Sequence, residues 1–480
     1  MEREHSTQTF APEAACLHIN QQLEANGLFG EAKRATDAAQ NSSWRIAPEP
    51  FRIPGKLAAD LQQLGQKLHS FNRGIQRLYE LSLRGKQPDW IREYFEAGKP
   101  DTVLDYGKIR RFRNHFPVII RPDILLTDDG YVVSELDSVP GGFGLLAALS
   151  SCYSDLGHDL IGGAKGIPSG LAASLRSLSD ETQPNCAIVV SEEASDYWGE
   201  MLWMGRALTA EGLPTYVRKP EAVTFQEDGL YVEENGEMVR VHILYRFFEL
   251  FDLKSIPKID LFLYAIRRQL VVATPPMKSF LEEKLSHGLL HHPRLEPYWL
   301  DELGEETFSH LLQVFPKTWI VDDRQVPPHG VIPGLSVKGQ PLTDWSDLQH
   351  ATKAERQLVL KISGFSPEAW GSRGVHVGHD MSASDWLDAI NKAVESFHES
   401  PYVLQDFHKA VRVSTSYYDF NTEEVRPMEG RVRLCPYYFL NDDQVKLHGI
   451  LATICPLDKK LIHGMVDAVM VPTAVSPNSD

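Results

Sequence analysis

Hydrophobic positions change period several times along the chain, and each change predicts an element. In "LAADLQQLGQKLHSFNRGIQRLYELSL" (57–83) apolar residues recur three and four apart, the spacing of an amphipathic helix, and residues 1–115 read as mainly helical. "RPDILLTDDGYVVSELDSVPGG" (121–142) reads as a β-hairpin with a glycine-rich exit, followed by two helical runs, "GLLAALSSCYSDLG" and "SGLAASLRSL". From Pro184 short apolar strands ("NCAIVVSEE", "LPTYVRK", "VRVHILYRFF") alternate with the helical "DYWGEMLWMGRALTAEG", which predicts a small parallel α/β unit over 181–275. "TPPMKSFLEEKLSHGLLHHPRLEPYWLDELG" is helical and punctuated by prolines. Beyond 315 the pattern turns to strands: "TWIVD", "LVLKIS", "YVLQDF", "GRVRLCPYYFL", "HGILATICP" and "AVMVP". With the helix "SASDWLDAINKAVESF" between the second and third, they predict one α+β domain on an antiparallel sheet. The expected division is therefore 1–115, 116–180, 181–275 and 276–480, with a frayed tail "PTAVSPNSD".

Composition narrows the partners. A chain of 480 residues that is 42% hydrophobic and 24% charged is expected to form two or three globular domains. Its formal net charge of −17 argues against a nucleic-acid footprint or attraction to an anionic membrane, so an anionic ligand has to be held by local arginines and lysines. "MEREHSTQTF" lacks a basic and then apolar signal, and no run of eighteen apolar residues occurs. Five widely spaced cysteines without a C-x-x-C pair suggest reduced, buried thiols, and a cytoplasmic location is the expectation.

The charged hairpin is the first candidate for chemistry. With a three-residue loop, Asp128 to Gly130, Thr127 would pair with Tyr131, setting Arg121 opposite Asp137 and Asp123 opposite Glu135. Alternation would then put these four on one face and Val132, Ser134 and Leu136 on the other, whereas a two-residue loop would slip Asp123 away. Three carboxylates on one face suit magnesium, which takes hard oxygen ligands. They suit equally a solvated face on which Arg121 pairs with Asp137.

The glycine-rich exit formally meets G-x-G-x-x-A through Gly142, Gly144 and Ala147, which would point to an NAD-dependent oxidoreductase; the rest of a dinucleotide-binding βαβ unit does not follow. A glycine turn giving backbone clearance explains it better.

Further on, "LVLKISGFSPEAWGSRGVHVG" places Lys361 in an apolar strand that ends in a glycine and serine loop. Ser363, Gly364, Ser372, Arg373 and Gly374 could close on phosphate oxygens there, and Lys361 calls for an anionic partner unless it snorkels from an edge strand. "SPYVLQDF" suits a hinge whose backbone, with Gln405, Asp406 and Phe407, could border a purine. "GRVRLCPYYF" sets Arg431, Arg433 and Cys435 on one strand face.

Taken in order, these segments resemble the ATP-grasp superfamily, most closely its circularly permuted branch, which includes the synthetase domain of glutathionylspermidine synthase. The resemblance rests on "RPD…SELDSVPGG", "ILYRFFELFDL", "LEEKLSHGLLHHPRLEPYW", "LVLKISGFSPEAWGSRGV", "YVLQDF" and "LIHGMVDAVMVP", covering about 115 to 475. It implies a mixed α+β and α/β fold with a small Rossmann-like domain and a helical N-terminal region. It also implies an ATP-dependent carboxylate–amine ligase acting through an acyl phosphate on small molecules such as an amino acid, peptide or polyamine. Carried over residue by residue, Asp123, Glu135 and Asp137 would hold Mg2+ on the ATP phosphates, and Arg121 would face the transferring phosphoryl group. Lys361 would contact ATP, 363–374 would cover the phosphates, and 405–407 would line the adenine. Two departures stand out: Asp137 replaces an asparagine of those enzymes, and Thr453 lies where they carry an arginine, a role that Arg431 or Arg433 could take over. A nucleotide-binding protein without ligase turnover is the alternative that the missing arginine favours.

Overall fold

The long amphipathic run folds as the helix Gly55–Leu83, which buries Leu61, Leu64, Leu68, Phe71, Ile75 and Leu78 along one stripe. The computed structural model describes residues 10–28, 44–137, 139–324, 330–369, 374–459, 462 and 467–477. The helix lies across a seven-stranded sheet so closely that a Cβ at Gly65 would fall 2.3 Å from the Tyr438 ring. The Tyr438 hydroxyl donates to the Leu61 carbonyl at 2.5 Å.

That sheet runs in the order Phe51–Ile53, Val469–Val475, Gln444–Pro456, Glu424–Asn441, Ile119–Thr127, Gly130–Asp137, with Arg412–Asp419 paired to the first half of Glu424–Asn441. It is antiparallel except where Phe51–Ile53 joins Val469–Val475. The strands after residue 410 thus belong with the hairpin and not with the three strands before them, which corrects the expectation of one C-terminal sheet. The reason shows in Glu424–Asn441, whose residues 434–440 are all buried. A strand covered on both faces sits inside a larger layered sheet.

The strands Thr318–Val321, Tyr402–Asp406, Leu358–Ile362 and Val375–Val377 form a separate four-stranded antiparallel sheet. Trp386 and Ile390 of the helix Ala383–Glu395 are buried in its core.

The alternating region contains a parallel sheet, Val272–Thr274, Ile243–Phe247, Cys186–Val190, Thr215–Arg218. "VRVHILYRFF" is two strands, because Glu237–Val241 belongs to an antiparallel meander with Val223–Gln226 and Gly229–Glu234. Its turn is an Asn235–Gly236 pair with φ of 53° and 85°, a hairpin signal that was legible in the sequence. Among the described residues no helix is long and apolar enough to cross a membrane. All five cysteines are buried and none forms a disulfide.

Candidate active site

The hairpin turns on fewer residues than expected. Thr127 pairs with Gly130 across a two-residue loop, and Ile124 faces Val133. Continued, that register would move Asp123 away from Glu135. Instead a β-bulge leaves Ser134 unpaired and restores Asp123 opposite Glu135 and Arg121 opposite Asp137. The three-residue loop is thus overturned, while the pairs it was meant to explain are made by the bulge. Val132 changes sides as a result: it stands opposite Leu125, on the face of Arg121 and Asp123, and Val133 takes the core side with Ile124.

The bulge also makes the link to the second sheet. Ser134 donates its hydroxyl to the Asp123 carbonyl at 3.2 Å, and its own carbonyl accepts from Lys361 Nζ at 3.0 Å. Lys361 is held from the other side by Gln405 Oε1 at 2.8 Å, and Gln405 Nε2 donates to Thr318 Oγ1 at 3.1 Å. Burial lowers the Lys361 ammonium to about 8, with Glu135 opposing. The lysine is therefore mostly charged at neutral pH.

Around the hairpin the charges interlock. Arg121 donates to both Asp123 and Asp137, and Arg433 Nη1 donates to Asp123 Oδ2 at 2.9 Å. The Cys435 thiol also points at Asp123, Sγ to Oδ1 3.4 Å. Glu135 pairs with Lys284 at 2.9 Å. Burial would raise the Glu135 carboxyl, yet Lys284, Lys361 and Arg121 outweigh it and hold it down at about 2. Beside them opens a cleft bordered by Glu135, Asp137, Glu249, Glu282, Lys284 and Gly364. Burial, then the neighbouring Glu282 and Asp137, push the Glu249 carboxyl well up. Glu282 is bound to Arg246, a fully buried guanidinium that also donates to the carbonyls of Pro275, Phe248 and Pro276.

The structure thus brings Arg121, Asp123, Glu135, Asp137, Lys361, Gln405 and Arg433 together. Arg431 is turned aside, its Nη1 donating to the Leu457 carbonyl at 3.2 Å. Ser363 Oγ and Gly364 N (3.1 Å) both donate to Glu283 Oε2, and the Gly374 amide donates to the Glu368 carbonyl at 2.8 Å. Asp406 N donates to the Lys317 carbonyl, and Phe407 N to that of Gln357, with the Phe407 ring edge-on to His379. Ser372 and Arg373 lie outside the described residues. Glu249, Glu282 and Lys284 lie in "ILYRFFELFDL" and "LEEKLSHGLLHHPRLEPYW", segments that carry the resemblance, but neither alternation nor helical spacing marks these three side chains as facing a cleft.

Among the described residues no group of three or more histidine, cysteine, aspartate or glutamate side chains is placed to hold a metal ion. Both oxygens of Asp123 are taken. Glu135 and Asp137 border the cleft and retain the hard oxygen chemistry that fits Mg2+, an ion usually held by one or two carboxylates together with phosphates.

The glycine exit has a different occupant from a dinucleotide. Glu200 Oε1 accepts from the amides of Gly142 and Gly144, each at 2.9 Å, at the start of the helix Phe143–Asp155. Burial raises the Glu200 carboxyl from 4.5 to about 7, the glycine amides opposing. A raised folded value means that the folded state keeps the proton longer. Its contribution to stability is complete below about 4.5 and is lost as pH rises through about 7. Glu200→Gln is expected to match wild type at pH 5 and to melt about 2–4 °C higher at pH 8 in calorimetry. An equal difference at both pH values would contradict the assignment.

No protein-family model matches the chain, and no curated protein matches it. Solved structures do. A glutathione synthetase-like effector from Globodera pallida aligns over 97% of this chain and 98% of its own, with a TM-score of 0.57 and 14% identity. The two chains share a fold. A Methylobacillus flagellatus protein assigned as a gamma-glutamylcysteine synthetase aligns over 88% of this chain and 89% of its own at 11% identity, with a TM-score of 0.39.

Proposed function

We propose that the protein is an ATP-dependent carboxylate–amine ligase of the ATP-grasp kind, in the permuted order in which the metal-binding hairpin precedes the lysine strand. The observation that carries this reading is the contact of Lys361 with the bulged carbonyl of Ser134, which joins a strand lysine to a charged hairpin beside an open cleft. The fold shared with a glutathione synthetase-like effector supports it.

In the reaction a substrate carboxylate oxygen attacks the γ-phosphorus of ATP, the bond to the ADP oxygen breaks, and an acyl phosphate forms. An amine nitrogen then attacks the acyl carbon, the carbon–oxygen bond to phosphate breaks, and the amine gives up a proton. Lys361 supplies a fixed positive charge to the phosphates, and Gln405 aims it. Glu135 and Asp137 would hold Mg2+, which would neutralise phosphate charge when bound. Asp123 serves instead to hold Arg121 and Arg433 in place. Thr453 pairs directly with Arg433 across the strands, so Arg433 reaches the face where the resembled enzymes place their arginine, and we assign it the acyl phosphate. Glu249 and Glu282 line the cleft, and a cationic amine bound there would offset the repulsion that, with burial, pushes the Glu249 carboxyl up.

Amino acids, short peptides and polyamines, screened in acid–amine pairs, are expected to give ADP release that needs both components. Lys361→Ala is expected to raise the KM for ATP about tenfold or more. Binding of Mg·ATP in calorimetry with no ADP release from any pair would replace the ligase by a nucleotide-binding protein.

A further inference from the structure

Ser363 and Gly364 close the strand Leu358–Ile362 that carries Lys361, and they are held from an unexpected direction. Their hydroxyl and amide converge on Glu283 Oε2, while Glu283 Oε1 lies 2.5 Å from Lys99 Nζ. Both charged side chains are shut off from solvent, at 0% and 1% exposure, and the Lys99 ammonium lies 5.8 Å from the Phe365 ring centroid. Lys99 comes from the helical N-terminal layer, far from the cleft in sequence. Just before it the chain packs against Glu399: Gly98, at φ +72°, leaves no room for a side chain, since a Cβ would fall 2.0 Å from the Glu399 carbonyl oxygen. Gly364 is equally confined, its Cβ position 1.6 Å from the Glu282 carbonyl oxygen.

We propose that Lys99 is a positioning residue, a buried latch that works through Glu283 to hold the turn at Ser363 and Gly364 against the cleft. The reasoning is electrostatic. A buried carboxylate is stable when opposite charge and hydrogen-bond donors surround it, and Glu283 has one ammonium and two donors. Without the ammonium it must take up a proton or draw in water, and either change weakens its hold on Ser363 and Gly364. Gly364 borders the cleft and Lys361 lies three residues earlier, so a loosened turn moves one wall of the site although Lys99 touches no part of it. The helical layer would then set ATP affinity; that consequence rests on the ligase reading, whereas the latch itself does not.

Hydrogen exchange on the full chain, without nucleotide, reads the latch directly. Lys99→Met is expected to speed exchange at the Gly364 amide about tenfold or more while amides of the central strand Gln444–Pro456 keep wild-type protection. In the ligase assay the same variant is expected to raise the KM for ATP about tenfold with kcat within a factor of about three. Should Lys99→Met fail to fold, Lys99→Met with Glu283→Gln removes the lone buried charge, and its Gly364 amide is expected to exchange about threefold faster than wild type, a neutral acceptor being the weaker one. Wild-type exchange at Gly364 in either folded variant overturns the proposal. Absence of ADP release from the wild-type protein would remove the ligase reading and leave the exchange result standing.

Discussion

Glu135→Gln is expected to lower the rate of ADP release by about a hundredfold or more while the protein stays folded. Glu135 stands where three demands meet: it neutralises Lys284, keeps Lys361 charged from across the hairpin, and offers an oxygen to a metal that arrives with ATP. Glutamine keeps the shape and removes the charge. Lys361 then loses the anion that opposes its desolvation, so its proton is released at lower pH than the present value of about 8. Residual activity should therefore fall off earlier on the alkaline side than in wild type. The loss leaves Lys284, whose side chain is only 12% exposed, without its ion-pair partner, so the unfolding midpoint should also fall, by about 2–4 °C. Steady-state ADP release across pH 6–10, with a thermal melt of the same sample, measures all three. Full turnover in the variant would remove Glu135 from the machinery.

Asp123→Ala is expected to act on stability first, at about 3–5 kcal/mol. Asp123 is 6% exposed and takes bonds from two guanidiniums and a thiol, so alanine leaves Arg433 without its carboxylate and Arg121 with Asp137 alone. The expectation differs from that for a carboxylate whose task is to bind metal, where removal relieves repulsion and commonly costs little. Urea unfolding of Asp123→Ala and Asp123→Asn decides between the two. A loss below about 1 kcal/mol in the alanine variant would return Asp123 to the metal set.

Much of the candidate site was legible because it is carried by local patterns. The alternation in "RPDILLT" and "SELDS" placed Arg121, Asp123, Glu135 and Asp137 on one face, and the lone lysine of "LVLKIS" marked itself by its apolar neighbours. The right pairs were nonetheless expected for the wrong reason. A three-residue loop and a two-residue loop with a bulge at Ser134 give the same partners at Asp123, and they differ only in which carbonyl is left over and where Val132 points. The leftover carbonyl is the one that receives Lys361. Pattern also failed where two arginines share a strand face: Arg431 and Arg433 are equivalent by alternation, and the position of Asp123 selects Arg433.

By itself the sequence determined which segments are helix and which are strand over most of the chain, the charged face of the hairpin, and the lysine strand, because period and alternation are properties of neighbours. Tertiary structure alone decided that the last strands pair with residues 119–137, that Glu249, Glu282 and Lys284 border the cleft, and that Lys99 reaches Glu283. Strand pairing across some 300 residues and the burial of an ion pair are settled by which apolar surfaces close on one another. That closure depends on the whole chain at once, and no local spacing records it.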